Sequence, residues 1–452
     1  MKKTERSVSR RSFLKLGAGL MGAAGLAACA APAAPAPSAP SEPAAQPQAP
    51  AEAPSAPGKA RLRLMTWSGG EELELHKKAF AAFTDKNNVD LEVTALPFEE
   101  YYTKLQAEAA GGAAADLINI GEAYTARWAA SNVLLNMNPL IEADPTFDKQ
   151  DFWPNLLENF TWKDGLYVLP KDYVTWGLYY NKTLFDEAGL SYPDETWNWS
   201  PDGTGKYEEA ARALTKREGD RVTQYGMIVP SGWGYWVPRL KDVGGRYLNE
   251  SRTACLLNEP QNVQVFQWMS DMVNKDKVAP TSEEVSIFSF NSGKVAMFPS
   301  GTYSMPGLHE APFDWAVVPY PTGPQGRHSI MYSSGYGIYS QTKEKDAAWK
   351  LAVHMTREGS EILAVTGFSI PSRQSIANKP GLYLNEKTIP RNAKIFMEAS
   401  KYMGLHEITP TWTQEEQIIK SEVSLLMNGE KTAQEAMDAI VPQINALLAK
   451  SG

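Results

Sequence analysis

The chain has very little cysteine and histidine. Of its 452 residues, only Cys29 and Cys255 are cysteines and five are histidines. The histidines, at positions 76, 309, 328, 354 and 406, never pair at metal-ligand spacing. Cys255 stands between Ala254 and Leu256 and has no neighbouring His, which is typical of a small buried apolar residue and not of a thiol nucleophile. We therefore expect no disulfide scaffold, no metal and no cofactor.

Several enzyme motifs are also missing. The chain contains no G-x-S-x-G nucleophile elbow and no H-E-x-x-H zinc motif. Gly203-Thr-Gly-Lys206 lacks the first glycine and the following Ser or Thr of a Walker loop. The sequence thus offers no nucleotide site and predicts a protein that is not an enzyme.

Positive charge and long hydrophobic runs are scarce as well. The formal net charge is −8, and residues 1–28 hold six basic residues and one acidic residue, so the remainder is more acidic still. An acidic surface does not suit nucleic acid. The apolar run from Leu16 to Ala28 is too short, and too rich in Gly and Ala, to span a bilayer stably.

The N-terminus carries export signals. Ser9-Arg10-Arg11-Ser12-Phe13-Leu14-Lys15 resembles a twin-arginine motif, and Leu26-Ala27-Ala28-Cys29 resembles a bacterial lipobox. We expect residues 1–28 to be a lipoprotein signal peptide and Cys29 to be lipidated. The protein would then be anchored to the extracytoplasmic face of the cell membrane, in a periplasm or at the cell surface. An ordinary cleaved signal with an incidental Cys is the alternative, and Tat or Sec export stays open.

Residues 29–58 predict a tether. From Ala30 to Gly58 the chain has no aromatic or large aliphatic residue and consists almost wholly of Ala, Pro, Ser, Gln and Glu. Such a composition cannot offset the entropy of ordering, and its prolines favour extended polyproline II. The 394 residues that follow exceed the usual size of one core, which predicts two domains or lobes.

The start of this body alternates between strand and helix patterns. Period-2 stretches predict strands at Arg61–Trp67, Val89–Ala95 and Asp116–Ile120, and helical spacing predicts helices at Glu71–Asp85 and Tyr101–Ala110. This order predicts a largely parallel α/β sheet with right-handed crossovers. Ligands of such sheets lie beyond the carboxyl ends of the strands, which places Trp67-Ser68 and Gly121-Glu122 beside one cleft.

A set of short segments over nearly the whole body carries a family resemblance through its order and spacing. The segments include Leu64–Trp67, Ala115–Asn119, Gly165–Pro170, Gly177–Gly189, Phe290–Met297, Val318–Pro321 and Gly335–Ile338. Together they resemble the type II extracellular solute-binding proteins of ABC sugar importers, in the family of maltose-binding protein.

The resemblance implies a fold and partners. It implies a two-lobed α/β fold, each lobe a mainly parallel sheet flanked by helices, joined by hinge strands that cross near Thr175, Met331 and Gly367. The lobes would be residues 59–175 with 331–366, and 176–330 with 367–452. It further implies a monomer that captures a mono- or oligosaccharide between its lobes and delivers it to the transmembrane permease of an ABC transporter.

A sugar site needs flat apolar faces for sugar C–H groups and carboxylates or amides for hydroxyls. The candidates that stand where the family places its cleft are Trp67, Ser68, Glu122, Asp172, Trp176, Ser231, Trp233, Trp236, Tyr303, Gly335 and Trp412. Replacing Trp233 or Trp412 by Ala should then weaken sugar binding without harming the fold. The periodicity around Trp268, Trp315 and Trp349 predicts core residues instead.

Three alternatives stay open. One alternative is the same fold with a polyamine or a glycerol phosphate as cargo, because the candidate cleft is lightly acidic and type II proteins bind varied cargo. A secreted glycoside hydrolase is the alternative of another class, with Glu122 and Asp172 as paired carboxylates. Asp202 in the loop before Tyr207 suggests either a solvated turn or a calcium loop, although EF-hand spacing is absent. Arg373 is expected to pair with a carboxylate.

Overall fold

The computed structural model describes residues 59–383, 394–404 and 406–451. The predicted signal peptide 1–28, the lipidation of Cys29 and the tether 29–58 lie outside the described residues. The strands are β1 Ala60–Trp67, β2 Val89–Leu96, β3 Leu117–Gly121, β4 Thr161–Trp162, β5 Gly165–Leu166, β6 Val168–Asn181, β7 Lys216–Glu218, β8 Arg221–Met227, β9 Val295–Gly301, β10 Trp315–Val318, β11 Ser329–Ile338, β12 Ile370–Pro371 and β13 Met403–Gly404.

Helices alternate with these strands along the chain. They are α1 Gly70–Asn87, α2 Phe98–Ala110, α3 Glu122–Ala130, α4 Asn138–Ala143, α5 Pro154–Asn159, α6 Lys182–Ala188, α7 Lys206–Leu214, α8 Trp233–Asp242, α9 Pro260–Ser270, α10 Met305–Leu308, α11 Lys345–Met355, α12 Glu358–Ala364, α13 Gln374–Ala377, α14 Lys394–Glu398, α15 Trp412–Met427 and α16 Ala433–Ser451. Across the described part of the chain, none of them has the length and apolar character that crossing a membrane requires.

One mixed sheet runs through the described body, in the order β2-β1-β3-β11-β6-β9-β8-β7. β1 is parallel to both β2 and β3, and each of these three strands begins and ends within one residue of its predicted bounds. The predicted parallel start of the sheet is thereby confirmed. As expected, the carboxyl ends of β1 and β3 meet at one edge, where Trp67 and Gly121 stand.

Two long strands, β6 and β11, connect the two halves of the sheet. β11 pairs antiparallel with β3 on one side and with β6 on the other, where Met331 lies opposite Thr175. The second half of β6 instead pairs with β9 and β10. β6 therefore passes from one half of the sheet to the other close to the predicted crossing at Thr175.

A β-bulge interrupts β11 between Ser334 and Gly335. A Cβ at Gly335 would lie 2.2 Å from the carbonyl oxygen of Leu169, so no other residue fits this close backbone approach. Ser333 and Ser334 stand just before the bulge, and Ser334 lies opposite Gly121 at the carboxyl end of β3. Gly335 thus shapes the site through the backbone and does not itself line it.

The core contains most of the tryptophans. Trp268 is 1% exposed and Trp349 is 6% exposed, which confirms both as core residues. Trp315 is half-buried and its Nε1 donates to the carbonyl oxygen of Leu308 at 2.9 Å. A large apolar cluster joins α8, α9, α15 and α16 and includes Trp236, Trp268 and Trp412.

Two segments differ from what their sequence patterns predict. The apolar run Met227–Val229 favours a strand, but β8 ends at Met227, and a helix, α8, begins at Trp233. The turn residues Thr409–Thr411 favour a helix start near Glu415, but the helix starts at Trp412, three residues earlier. Trp233 and Trp412 therefore lie in the first turns of helices and not in loops.

Candidate functional site

A cavity of about 850 Å³ opens at the edge of the sheet where β1 and β3 end. We call it the main cavity. Residues from β1, α2 and α3 form one wall, and residues from α8 and α15 line the other side. β6, β11 and the segment around Phe368 contribute further lining residues. A cavity of this size is within the range of small-molecule sites.

The first wall is a continuous aromatic surface. It consists of Trp67 at the end of β1, Phe98 and Tyr102 one turn apart on α2, and Tyr124 on α3. Tyr102 stacks on Tyr124 with ring centroids 3.9 Å apart, and Trp67 lies 5.5 Å from Phe98. Phe98 is 44% exposed, which is unusual for so large an apolar ring. We call these four residues the aromatic wall.

The opposite side combines rings with polar groups. Trp233, Tyr303 and Tyr332 line the cavity, and Trp233 packs edge-on against Tyr332 with centroids 4.6 Å apart. On α15 the cavity-lining residues Thr413, Glu416, Gln417 and Lys420 follow the spacing of one helix face. We call this helix face the polar wall. Arg127 of α3 reaches it, because its Nη1 donates to Thr413 Oγ1 at 3.4 Å.

Asp172 connects three segments of the chain at the floor of the main cavity. Its Oδ1 accepts from Ser334 Oγ on β11 at 2.8 Å, and its Oδ2 accepts from Ser369 Oγ at 2.8 Å. Lys171 Nζ lies 2.6 Å from the same Oδ2, and its side chain is only 5% exposed. The carboxylate is therefore held in place by a buried cation and two hydroxyls.

Glu122 lies at the N-terminus of α3 and is 4% exposed. Its Oε2 accepts the backbone N–H of Ser333 at 2.8 Å, just before the β11 bulge. Burial raises the pKa of the Glu122 carboxyl to about 8, although hydrogen bonds to Ser333 oppose the rise. At neutral pH the group is thus largely protonated and offers a hydrogen-bond donor.

Most other charges around the main cavity are already paired. Lys171 pairs with Asp172, and Lys420 lies 3.2 Å from Glu416. Burial raises the pKa of Glu72 above its ordinary value. Among the described residues, Arg127 is the cavity-lining cation that has no carboxylate within ion-pair distance, although it also lies 5.3 Å over the Trp128 ring. The cavity is consequently close to electrically neutral.

The structure brings five of the predicted site residues onto the cavity surface: Trp67, Glu122, Asp172, Trp233 and Tyr303. Their contact with a ligand stays a prediction.

The other six candidates lie off the cavity surface. Ser68 Oγ lies 3.3 Å from His76 Nδ1, Ser231 is exposed outside the cavity, and Trp176 is half-buried between Tyr235 and Tyr332. Trp236 and Trp412 are each 1% exposed, so the expectation that they stand at the cleft surface is corrected: both belong to the apolar cluster behind it. Gly335 is buried in the β11 bulge.

Sequence reasoning missed several lining residues, and some had a signal. Phe98 and Tyr102 are spaced i, i+4 at the start of a helix that follows β2, whose carboxyl end lies beside that of β1. Their position could therefore have been inferred. Tyr332 and Ser333 on β11 and Phe368 between α12 and β12 also line the main cavity, and no local pattern shows their place there.

The remaining candidates for special chemistry have structural roles. Asp202 accepts hydrogen bonds from Ser200 Oγ and from both the N–H and the Oγ1 of Thr204, which is a side-chain-stabilised turn. No group of three or more His, Cys, Asp or Glu within the described ranges could hold a metal ion. Arg373 pairs with Asp151 at 3.3 Å, as expected.

A cavity at the strand ends, between two halves of a sheet that β6 and β11 join, defines a two-lobed binding protein of the type II periplasmic kind. A family model for bacterial extracellular solute-binding proteins matches residues 69–362. The chain belongs to this family.

Individual relatives are distant but cover most of the chain. The galactooligosaccharide-binding protein of Bacillus subtilis (strain 168) is 21% identical over 397 residues, which is 85% of this chain and 90% of that protein. The sn-glycerol-3-phosphate-binding periplasmic protein of Pectobacterium atrosepticum is 23% identical over 434 residues, covering 87% and 93%.

Solved structures agree on the fold. An ABC substrate-binding protein from Listeria monocytogenes in complex with cycloalternan has a TM-score of 0.79 and 25% identity, covering 86% of this chain and 99% of that one. Maltose-bound MalE3 of T. maritima has a TM-score of 0.73 and 21% identity, covering 86% and 100%. The predicted fold class is confirmed.

Proposed function

We propose that the protein is the extracytoplasmic substrate-binding component of an ABC transporter and that it binds a carbohydrate in the main cavity. One observation carries the proposal: the aromatic wall and the polar wall line the same cavity. Sugars present apolar C–H faces and a belt of hydroxyls, so they need both kinds of surface at once. The relatives named for galactooligosaccharide and cycloalternan binding agree with this cargo.

The charge distribution favours a neutral ligand over a polyamine. A polyamine would need free carboxylates, but Asp172 is held by Lys171 and two serines, and Glu416 lies beside Lys420. Glu122 is largely protonated at neutral pH because burial raises its pKa to about 8. Neutral hydroxyls, in contrast, can accept from the Glu122 acid and donate to Asp172 without breaking an ion pair.

A glycerol phosphate is the second candidate ligand. Arg127 lines the main cavity without a carboxylate partner among the described residues, and guanidinium is well suited to phosphate. The relative from Pectobacterium atrosepticum is named for this cargo. A single cation beside a four-ring wall nevertheless fits a neutral sugar better than a doubly charged phosphate.

A binding role explains the two cavity carboxylates better than glycoside hydrolysis does. A hydrolase needs one carboxylic acid and one carboxylate that are both free to act on the glycosidic bond. Here Glu122 accepts from the backbone of β11 and Asp172 bonds to three side chains. We propose that both groups fasten the hinge strands, that the bound sugar leaves unaltered, and that the protein is not an enzyme.

The ligand would act by bridging two lobes. We assign residues 59–175 with 331–366 to one lobe and 176–330 with 367–452 to the other, with β6 and β11 as hinge strands. A ligand shifts the equilibrium between an open and a closed form only if it binds the closed form more tightly, so it must contact both walls. The closed form would then present surfaces of both lobes to the permease, while a separate ATPase supplies the energy.

The N-terminal export signals support a location at a membrane. We propose that residues 1–28 direct export, that Cys29 carries the lipid anchor, and that residues 29–58 tether a monomeric body to the extracytoplasmic face. Tethering would raise the effective concentration of the protein near the permease. Metabolic labelling with a radioactive fatty acid, with Cys29→Ala as the control, tests the anchor.

Calorimetry on the purified protein tests the ligand class. The panel should contain mono- and oligosaccharides, polyamines and glycerol phosphates, and each sugar should be recovered afterwards and analysed. We expect tight binding of one or more sugars, recovered intact. Binding of a polyamine or glycerol phosphate alone would overturn the carbohydrate proposal, and cleaved sugar would show a hydrolase.

A further inference from the structure

A second cavity of about 330 Å³ adjoins the main cavity. We call it the side chamber. The two cavities share Glu122, and Trp233 of the main cavity stacks on His406 of the side chamber with ring centroids 4.6 Å apart. The two spaces therefore meet across a small number of side chains.

Helix α3 separates the cavities along the rest of its length. Ala123, Tyr124 and Arg127 face the main cavity, whereas Thr125 and Ala126 face the side chamber. Glu122, the first helical residue, faces both. Glu122 therefore stands between the two spaces, at the N-terminal end of the helix.

The lining of the side chamber has the same chemical character as a sugar site. Trp162 on β4 is half-buried and supplies an aromatic ring. Asn159, Thr125 and Thr161 supply amide and hydroxyl groups. Glu158, Lys163 and Arg252 add charged groups to the lining. An aromatic ring beside polar groups of these kinds suits a hydroxyl-rich ligand.

Within the described part of the chain, His406 is a buried side chain that lines the side chamber and lacks hydrogen-bond partners. It is 5% exposed, and neither of its ring nitrogens has a hydrogen-bond partner among the described residues. Burial lowers the pKa of His406 well below its ordinary value, so the ring is neutral and carries one donor and one acceptor. Buried polar groups are rarely left unpaired, and a ligand hydroxyl could satisfy either nitrogen.

We propose that the side chamber is an extension of the ligand site that receives one further hydroxyl-rich ring, so that the ligand is an oligosaccharide that reaches past Glu122. This inference rests on the proposed function, since it assumes that the main cavity binds the rest of the sugar. Trp162 provides the stacking face for the added ring, and His406 provides hydrogen bonds to its hydroxyls.

The test compares sugar lengths. Calorimetry would follow a series of oligosaccharides that differ by one ring, chosen from the class that the wild-type protein binds. We expect affinity to rise about three- to tenfold on adding the ring that enters the chamber. Trp162→Ala should abolish that rise and leave the affinity for the shorter sugar unchanged, while Trp162→Phe should keep most of it.

Two further variants separate binding from stability. Ala126→Leu narrows the chamber and leaves Trp162 in place, so it should also remove the gain for the longer sugar. Trp315→Ala is the matched control, because Trp315 is a half-buried ring that lines neither cavity. It should change thermal stability but not the dependence on length.

The outcomes distinguish this inference from the function on which it rests. If wild-type protein binds short and long sugars equally, or if Trp162→Ala weakens both to the same extent, the extension is overturned while the carbohydrate proposal stands. If no carbohydrate of any length binds, the proposed function itself fails.

Discussion

The two sides of the main cavity present their aromatic residues in different ways. On the aromatic wall, Trp67, Phe98, Tyr102 and Tyr124 all reach the cavity surface. Among the rings that α8 and α15 themselves carry, only Trp233 does so, and Trp236 and Trp412 lie behind it at 1% exposure. The surface there belongs to Glu416, Gln417 and Lys420.

This difference predicts that the exposed rings serve mainly binding and the buried rings serve mainly folding. Rings at the surface of the aromatic wall offer their faces to a ligand, so they should contribute to binding more than to folding. Rings behind α8 and α15 pack against one another, with Trp412 5.7 Å from Trp233 and 5.8 Å from Tyr247. They should contribute to folding, and affect binding only by positioning Trp233.

The largest expected effect lies in the buried layer. Trp412→Ala should destabilise the protein by about 3–5 kcal/mol, because it removes a fully buried ring and leaves a cavity. This revises the expectation from the sequence that the fold would be unharmed. Denaturant unfolding measures the loss, and Trp412→Phe is the matched control, which should cost much less. A Trp412→Ala protein of wild-type stability with weakened sugar binding would contradict the assignment.

Substitutions on the aromatic wall should instead weaken sugar binding more than they lower stability. Tyr102→Ala removes the ring at the centre of the wall and should weaken sugar binding by about 1–3 kcal/mol. Calorimetry with the sugar found in the panel measures this change.

Tyr102→Phe is the control for the hydroxyl. The Tyr102 oxygen accepts the N–H of Gly121 at 3.1 Å, so the Phe variant should lose about 0.5–1.5 kcal/mol of stability while keeping most of its affinity. Equal affinity of wild-type and Tyr102→Ala proteins would remove this wall from the site.

The sequence located the edge of the sheet at which the aromatic wall lies, because backbone rules govern the order of the strands. The parallel order of β1, β2 and β3 follows from alternation and crossover length, and it brings Trp67 and Glu122 to one edge. In contrast, whether a ring lies at the cavity surface or is buried behind it depends on where the helices begin. Trp236 has Gly234 and Pro238 two residues away and Trp412 stands between two threonines, yet both belong to helices that turn them into the core.

Contacts that depend on long-range register could not be predicted. Ser333 donates to Glu122 and Ser334 donates to Asp172 just before the bulge in β11, where the backbone at Gly335 closely approaches Leu169. The unpartnered imidazole of His406 depends on packing among Trp233, Tyr247 and Trp412. No local pattern contains this information.

Glu122 should link stability to pH. Its pKa is about 8 in the folded state against an ordinary value of 4.5, so between these values the folded protein holds a proton that the unfolded chain has lost. Wild-type stability should therefore fall as pH rises from 5 to 8, by at most about 1.4 kcal/mol per pH unit from this group. Glu122→Gln should lack this slope.

Chemical unfolding at pH 5, 6, 7 and 8 measures the difference between the two proteins. The exposed Glu283→Gln variant is the matched control and should follow the wild type. If Glu122→Gln and wild type lose stability in parallel over this range, Glu122 is ionised in the folded protein, and its role as a hydrogen-bond donor to sugar fails.

The smallest effect is expected on the polar wall. The Lys420 side chain is 60% exposed and lies 3.2 Å from Glu416, and exposed ion pairs contribute about 0–1 kcal/mol. Lys420→Met should therefore change stability little and alter the affinity for a neutral sugar by less than about twofold.

A glycerol phosphate would respond differently, because a positive charge near Arg127 and Thr413 would be lost from its site. Calorimetry at low and high salt separates the cases, since only an anionic ligand should show a salt dependence that the variant reduces.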